Sequence, residues 1–479
     1  MKKLILFILT ISVILSIMPF SVTSFGAESG TCGENVAWTF DNGTLTISGN
    51  GPMSDFPRNT TRPWKRANTD IYTLIIEDGI TRIGDEAFSE LIMIESVTIP
   101  NSVKEIGDSA FNSCISITTV TIGSGVKSIG KEVFASCMEI SELKVDANNN
   151  HYVAVDDVLF NKDKTEILQL PLGKGYTSYT IPSTVKKILS HAFYNARISS
   201  VVIPDGVTHI EEQAFGSSYI TSLVIPNSVK SIEKYAFASC KKLTTAKLGS
   251  GVSELGVNTF YGCTALTSVT LNNGITVIPD WAFCNCTSLK SIAIPDSVKV
   301  IKKNAFSNCL ELESVKMSKN VTEIDAVAFA FCSKLESFEI PHGVTRISNN
   351  TFNECTSLKS ISIPSTVTFI DDYAFKSCTA LSDVYYEGSE SQWNAIYVKS
   401  NNSLLTSATI HFKDSSPSDD ESDDTTASND TTVKEEVTTA KDTTIANDTS
   451  SVKDTTSDVT IASTEDIVTD SNAPIEDST

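Results

Sequence analysis

Phenylalanine returns along this chain at a spacing that leaves few folds open. It falls at Phe88, Phe111, Phe134, Phe193, Phe215, Phe237, Phe260, Phe283, Phe306, Phe329, Phe352 and Phe375. Eight of the intervals are 23 residues, two are 22 and one is 59. A fixed period in the twenties, with leucine and isoleucine in register, marks a leucine-rich solenoid in which each unit touches only its neighbours. A chain of 479 residues would otherwise predict roughly two to four globular domains, but in a stack of coils length is unconstrained.

One unit, LKSIAIPDSVKVIKKNAFSNC from Leu289 to Cys309, shows what each coil must build. Ile292 and Ile294 alternate with Ser291 and Ala293, the period-two pattern of a short, half-buried strand. Pro295 removes a backbone donor and ends it. Val298, Ile301, Ala305 and Phe306 then point inward from a return path of turns, a second short strand or a helical turn. No unit can bury its apolar face alone. Stacked, about 14 strands at ~4.8 Å spacing would make a parallel sheet roughly 65 Å long. The expected fold is therefore a repeat solenoid, a leucine-rich-repeat-type stack of coils with a parallel β-sheet, capped at both ends.

The eleven cysteines fit the same register. Nine of them, Cys114, Cys137, Cys240, Cys263, Cys286, Cys309, Cys332, Cys355 and Cys378, each follow a repeat phenylalanine by three residues. Other units put Leu91, Ala196 or Ser218 there, as suits a small buried side chain. Buried thiols are expected, although neighbouring rungs would lie within disulfide reach. Cys32 and Cys284 fall outside the column.

The 59-residue interval hides one irregular unit of 36 residues near 146–181. Apolar runs at Val158–Phe160 and Ile167–Leu170 flank the polar NKDKTE and read as a hairpin that replaces the phenylalanine half. Asp156, Asp157 and Asp163 lack the spacing and glycine of an EF-hand loop, so a solvated turn is expected there. Solenoid ends need caps. WTFDNGTLTISG, centred on Asn42-Gly43, carries a hairpin signal for the N-terminal one. Tyr385, Tyr386, Trp393, Ile396 and Ile410 lie off the repeat pattern and suit the C-terminal one. The expected organisation is a signal peptide over 1–27, a cap with a β-hairpin over 28–70, repeats over 71–383, a cap over 384–413 and a disordered tail over 414–479.

Taken together, the IPxSVxxIxxxAFxxC units, the opening GTCGENVAWTFDNGTLTISGNGPM, the insertion DDVLFNKDKTEILQLP and the closing VYYEGSESQWNAI resemble the BspA-like leucine-rich repeat family of bacterial surface proteins. The resemblance covers about residues 31–412. It implies a curved repeat scaffold, surface display or secretion, and adhesion to host or microbial partners.

The ends are of different material. Lys2 and Lys3, an apolar run from Leu4 to Met18 and the small-residue stretch SVTSFGA read as a secretory signal peptide cleaved between Ser24 and Glu28. The run is short for a membrane span, so none is expected in the mature chain. Residues 414–479 hold 18 Asp/Glu against 3 Lys, or −15 of the total −21. With 26 Ser/Thr among 66 residues, this Thr/Ser/Asp-rich tail cannot bury enough apolar surface to order itself. It carries no LPxTG motif. The remaining −6 on the body excludes the basic stripe that nucleic acid binding needs.

Chemistry-bearing motifs are absent. His151, His191, His209, His342 and His411 are scattered over different units, and there is no HExxH, CxxC or GxSxG. GVKSIGKE at 125–132 comes near a phosphate loop but has Glu132 where a hydroxyl should bind magnesium, and it coincides with the repeat consensus. No cofactor, metal or catalytic residue is expected.

Two outward columns of the sheet are more informative. The first is nearly uniform: Ser96, Thr119, Glu142, Ser178, Ser200, Ser222, Thr245, Ser268, Ser291, Ser314, Ser337 and Ser360. Stacked hydroxyls can hydrogen-bond along such a ladder, a structural role. The second varies. Its members Thr180, Val202, Val224, Lys247, Thr270, Ala293, Lys316, Glu339, Ser362 and Tyr385 are the candidate partner-binding residues, preceded by Thr98, Thr121 and Lys144. Lys316 and Glu339 are expected to pair. The leading reading is a secreted or surface-displayed monomeric module that binds an extracellular protein or glycan. An architectural spacer without a ligand is the alternative. A glycan-acting enzyme, dependent on clustered carboxylates or a reactive Cys284, comes last, because fold alone assigns no function.

Overall fold

A computed structural model describes residues 28–57, 60–64 and 70–413. The signal-peptide and tail readings, over 1–27 and 414–479, lie outside them. Between the ends the chain is a parallel β-solenoid with one coil per repeat.

Each coil presents a strand of three or four residues, such as Ser291–Ala293, then a two-residue strand, such as Val300–Ile301. A return path of consecutive tight turns follows. Within the repeats the described residues contain a single helical turn, the 3-10 segment Leu172–Lys174 of the irregular unit. The return path has its own geometry. Asn304 and Asn308, two residues either side of Phe306, adopt left-handed φ values of 57° and 60°. The backbone donors then alternate. Ala305, Ser307 and Cys309 donate to the carbonyls of Lys302, Asn304 and Phe306 within the coil (3.2, 3.1 and 3.4 Å). Asn304, Phe306 and Asn308 donate to Ala326, Ala328 and Ala330 of the next coil (3.1, 2.8 and 2.8 Å). The turns thus satisfy buried polar groups and also tie coil to coil.

This ribbon carries continuity that the first sheet lacks. The three- and four-residue strands ladder in separate groups, and the hydrogen-bonded pairing lapses between Val202 and Val224, Thr270 and Ala293, and Lys316 and Glu339. The expected single sheet is therefore a series of short ones. At each of these three lapses the ribbon holds: Phe215 donates to Ala236 (2.8 Å), Phe283 to Ala305 (2.8 Å) and Phe329 to Thr351 (3.0 Å). A strand this short offers few rungs, so a lapse is affordable where the ribbon spans it.

Inside the ribbon the phenylalanines stack. Phe283, Phe306 and Phe329 lie with ring centroids 5.3 Å apart and planes within 7°. Truncating one such buried ring to alanine costs about 3–5 kcal/mol. All eleven cysteines are buried and unbridged. Each column thiol donates to the phenylalanine carbonyl of the preceding coil, as from Cys309 Sγ to Phe283 (3.2 Å) and Cys332 Sγ to Phe306 (3.3 Å). The column is a row of weak donors as well as small hydrophobes.

The ends are closed by different means. Glu28–Gly33, Val36–Asp41 and Thr44–Gly49 form an antiparallel sheet, and Thr44–Gly49 pairs in parallel with Thr73–Ile76. Asn42 and Gly43 at the hairpin tip both have positive φ, the twist-compatible turn. Trp64 extends the phenylalanine stack from Phe88. At the other end Asn402 stands in for the missing next coil. Its Oδ1 accepts the Phe375 N–H (3.0 Å) and its Nδ2 donates to the Asp371 carbonyl (2.8 Å).

In the irregular unit Tyr152–Val155, Val158–Asn161 and Glu166–Gln169 form a three-stranded meander, one strand more than the expected hairpin. Asp156 and Asp157 are its first turn, with φ of 51° and 66°, and Lys174 pairs with Asp157. The last strand joins the second sheet through Lys187–Ile188.

Candidate interaction surface

Period-two alternation forces every second residue of the first sheet outward, because its neighbours are held in the core. Ile292, Leu223 and Val384 are buried, while Ala293, Val224 and Tyr385 beside them are exposed. The candidate residues line up coil by coil within each ladder group. Thr180 faces Val202, Val224 faces Lys247, and Lys247 faces Thr270. Ala293 faces Lys316, Glu339 faces Ser362, and Ser362 faces Tyr385. All are exposed except the half-buried Ser362. Val202 and Val224, 52% and 65% exposed, make an apolar step at a lapse in the sheet. Ile75, in the same column at the N-terminal end, is also exposed.

Two expectations about this face need correction. Lys316 and Glu339 form no ion pair among the described residues, and their strands share no ladder that would fix their register. The uniform hydroxyl column is no hydrogen-bonded ladder either. Among the described residues none of its side-chain hydroxyls bonds to protein. The ladder lies one residue earlier, where Ser199, Thr221, Thr244 and Thr267 each donate to a carbonyl of the preceding coil (3.0, 3.1, 2.8 and 3.0 Å). Those residues close the structural accounting. The column at Ser200, Ser222, Thr245 and Ser268 keeps its donors and acceptors for solvent or a ligand.

The strip gains a member that sequence reasoning passed over. The cap strand Thr409–Phe412 pairs in parallel with Asp383–Tyr386, setting His411 opposite Tyr385. The two rings stack with centroids 4.7 Å apart and planes 15° from parallel. His411 Nε2 lies 2.7 Å from Asp383 Oδ1. The Ser382 hydroxyl and then His411 hold the Asp383 carboxyl below its ordinary range. The result is an exposed aromatic platform edged by a carboxylate. Parallel pairing in the cap, 26 residues distant in sequence, offers no periodic signal for His411.

Cys284, the thiol that an enzymatic reading would use, is not disposed as a nucleophile. Cys284 is 3% exposed, and burial pushes its thiol up to about 12, opposite to what a nucleophilic cysteine requires. Among the described residues no three His, Cys, Asp or Glu side chains are grouped to hold a metal ion, and no helix is long and apolar enough to cross a membrane.

The BspA type leucine rich repeat region matches in six copies, over residues 67–171, 173–290 and 253–382, well over half of the chain. The chain belongs to the BspA-type leucine-rich repeat family. Solved structures that resemble it include a leucine-rich repeat protein from Eubacterium ventriosum, 22% identical, covering 69% of this chain and 95% of that one, with a TM-score of 0.49. A leucine rich cell surface protein from Faecalibacterium prausnitzii is 29% identical, covering 78% of this chain and 98% of that one, with a TM-score of 0.43. A leucine-rich repeat protein from Bacteroides ovatus is 22% identical, covering 79% and 98%, with a TM-score of 0.47. No curated protein matches. Family membership accounts for the coil.

Proposed function

We propose that this BspA-type repeat protein is an exported binding module whose outward strip, from Thr180 to Tyr385 and on to His411, meets an extracellular protein or glycan. One observation carries the reading. An exposed, variable column runs beside hydroxyls that the fold leaves without protein partners, and the strip ends in the Tyr385–His411 platform. Variation beside a uniform polar column lets a rigid scaffold specify one partner over another, and stacked aromatic faces supply apolar contact at little entropic cost. Export is supported by Lys2, Lys3 and the apolar run that follows.

The test is an array of matrix proteins, mucins, glycans and bacterial surfaces probed with the purified protein. Binding to at least one class is expected, and Tyr385→Ala should weaken it by about tenfold or more, as for an aromatic anchor. Absence of binding across the array, or binding untouched by Tyr385→Ala and Val224→Glu together, would overturn the proposal.

A further inference from the structure

The irregular unit interrupts the solenoid at one place and leaves a cavity there. The second sheet's N-terminal section ends at Ser128–Ile129, and its next section begins with the meander. Tyr152 Oη accepts the Ile129 N–H (3.0 Å) that a further strand would otherwise have taken. The phenylalanine stack stops at Phe134 and resumes at Phe193. Across the gap Asn195 Nδ2 reaches Ser136 Oγ at 3.4 Å, and His191 Nδ1 lies 3.9 Å from Glu132.

The cavity has a volume of about 200 Å³. At ~30 Å³ per water-sized group it holds roughly six such groups. Ile129, Phe134, Leu159, Leu168 and Leu189 give it apolar walls. Asp108, Glu132 and Glu211 line it with three carboxylates against one lysine, Lys131. Glu211 already accepts the Ser190 N–H (3.2 Å). Gln169, 5% exposed, also lines the cavity. Its Nε2 donates to the Leu170 carbonyl (2.9 Å), whereas its Oε1 has no donor among the described residues.

Apolar walls, an acidic lining and an amide oxygen that meets no donor of the described residues suit a ligand with an apolar stem and a cationic, donor-rich head. We infer that this cavity receives a lysine side chain of a partner protein, its four methylenes against Leu159 and Leu168 and its ammonium among Gln169, Glu211 and Glu132. Ammonium suits the site better than guanidinium, because acceptors drawn from separate coils surround a compact point charge more readily than a planar fork. A lysine side chain has five heavy atoms beyond its backbone, close to what the cavity admits. The site contains none of the outward strip residues, so its test is independent of the function proposed above.

The experiment titrates the full chain with the blocked peptide acetyl-Gly-Lys-Gly-amide and its norleucine counterpart by ligand-observed NMR. Saturable millimolar binding of the lysine peptide is expected, with the norleucine peptide about tenfold weaker or more. Glu211→Gln keeps an acceptor for Ser190 and should fold normally while losing about fivefold in affinity. Gln169→Leu should lose as much, and Glu142→Gln on the other sheet should lose nothing. Equal binding of the two peptides would leave only an apolar cleft and overturn the inference. Unchanged affinity in both cavity variants, or no saturable binding, would do the same. Tighter binding of free spermidine than of the peptide would reassign the site to a polyamine and also overturn it.

Discussion

Val327 occupies a backbone position that β-branched residues avoid. Its φ is 63°, in the left-handed region where a branched Cβ crowds the following carbonyl. The residues stacked on either side, Asn304 and Asn350, have φ of 57° and 55° and are of the type that tolerates it. The ribbon imposes this conformation because the Val327 N–H must reach Asn349 of the next coil (3.0 Å). Strain of this kind costs of order 1–3 kcal/mol. Replacing Val327 with asparagine relieves it while giving up a half-buried apolar side chain, so a net gain of about 0.5–1 kcal/mol is expected. Urea unfolding of Val327→Asn against wild type measures it, and a loss of stability would mean that the valine's packing outweighs the strain.

The same positions show why the ribbon was not legible beforehand. Left-handed turns usually announce themselves through glycine or asparagine. Here the column two residues before the last seven phenylalanines reads Tyr235, Asn258, Trp281, Asn304, Val327, Asn350 and Tyr373, in which asparagine alternates with residues that carry no turn signature. The coil period, the buried face and the cysteine column were legible, because burial imposes them on every unit. The hydroxyl ladder was placed one residue late, since Ser, Thr pairs such as Thr221-Ser222 leave both positions open to it. Only the backbone direction decides which hydroxyl meets a carbonyl.

At the scale of the element, the C-terminal cap is held by a charge cluster as well as by apolar packing. The Asp371 carboxylate pairs with Arg346 and with Lys399 (3.1 Å), and its own carbonyl accepts from Asn402. Burial pushes its carboxyl upward, but Arg346, the Asp372 N–H and Lys399 together hold it below the ordinary range. A depressed folded value means that ionisation favours folding. That contribution is complete above about pH 5 and is lost as pH falls through the folded value. Asp371→Asn should therefore destabilise the cap at neutral pH by about 1 kcal/mol, a figure reduced because Arg346 is half exposed. Comparing the unfolding of variant and wild type at neutral pH and near pH 3 checks the sign. The gap should narrow in acid, and a gap that widens would show that the charge is not what Asp371 supplies.

At the scale of the molecule, the buried side chains of the described residues fall into two cores, not one. The first runs from Cys32 to Leu143 and takes in Leu159; the second runs from Val158 and Phe160 to Leu405. Neighbouring residues of one meander strand, Leu159 and Phe160, thus face different cores. The ribbon bonds that join every other pair of coils give way here as well, and Leu170 takes over by donating to Ala192 (2.9 Å). In a stack whose stability is the sum of units and nearest-neighbour interfaces, cooperativity fails first at the weakest interface. The two sections should therefore unfold in separate steps in urea, each with the lower slope of a shorter array. Hydrogen exchange resolved by peptide would show the amides of 71–143 and of 193–375 losing protection at different denaturant concentrations. Leu159→Ala should move the first transition and Phe160→Ala the second, each by about 2–5 kcal/mol. A single transition shared by both sections, shifted alike by either variant, would mean that the meander couples the cores as tightly as any regular coil.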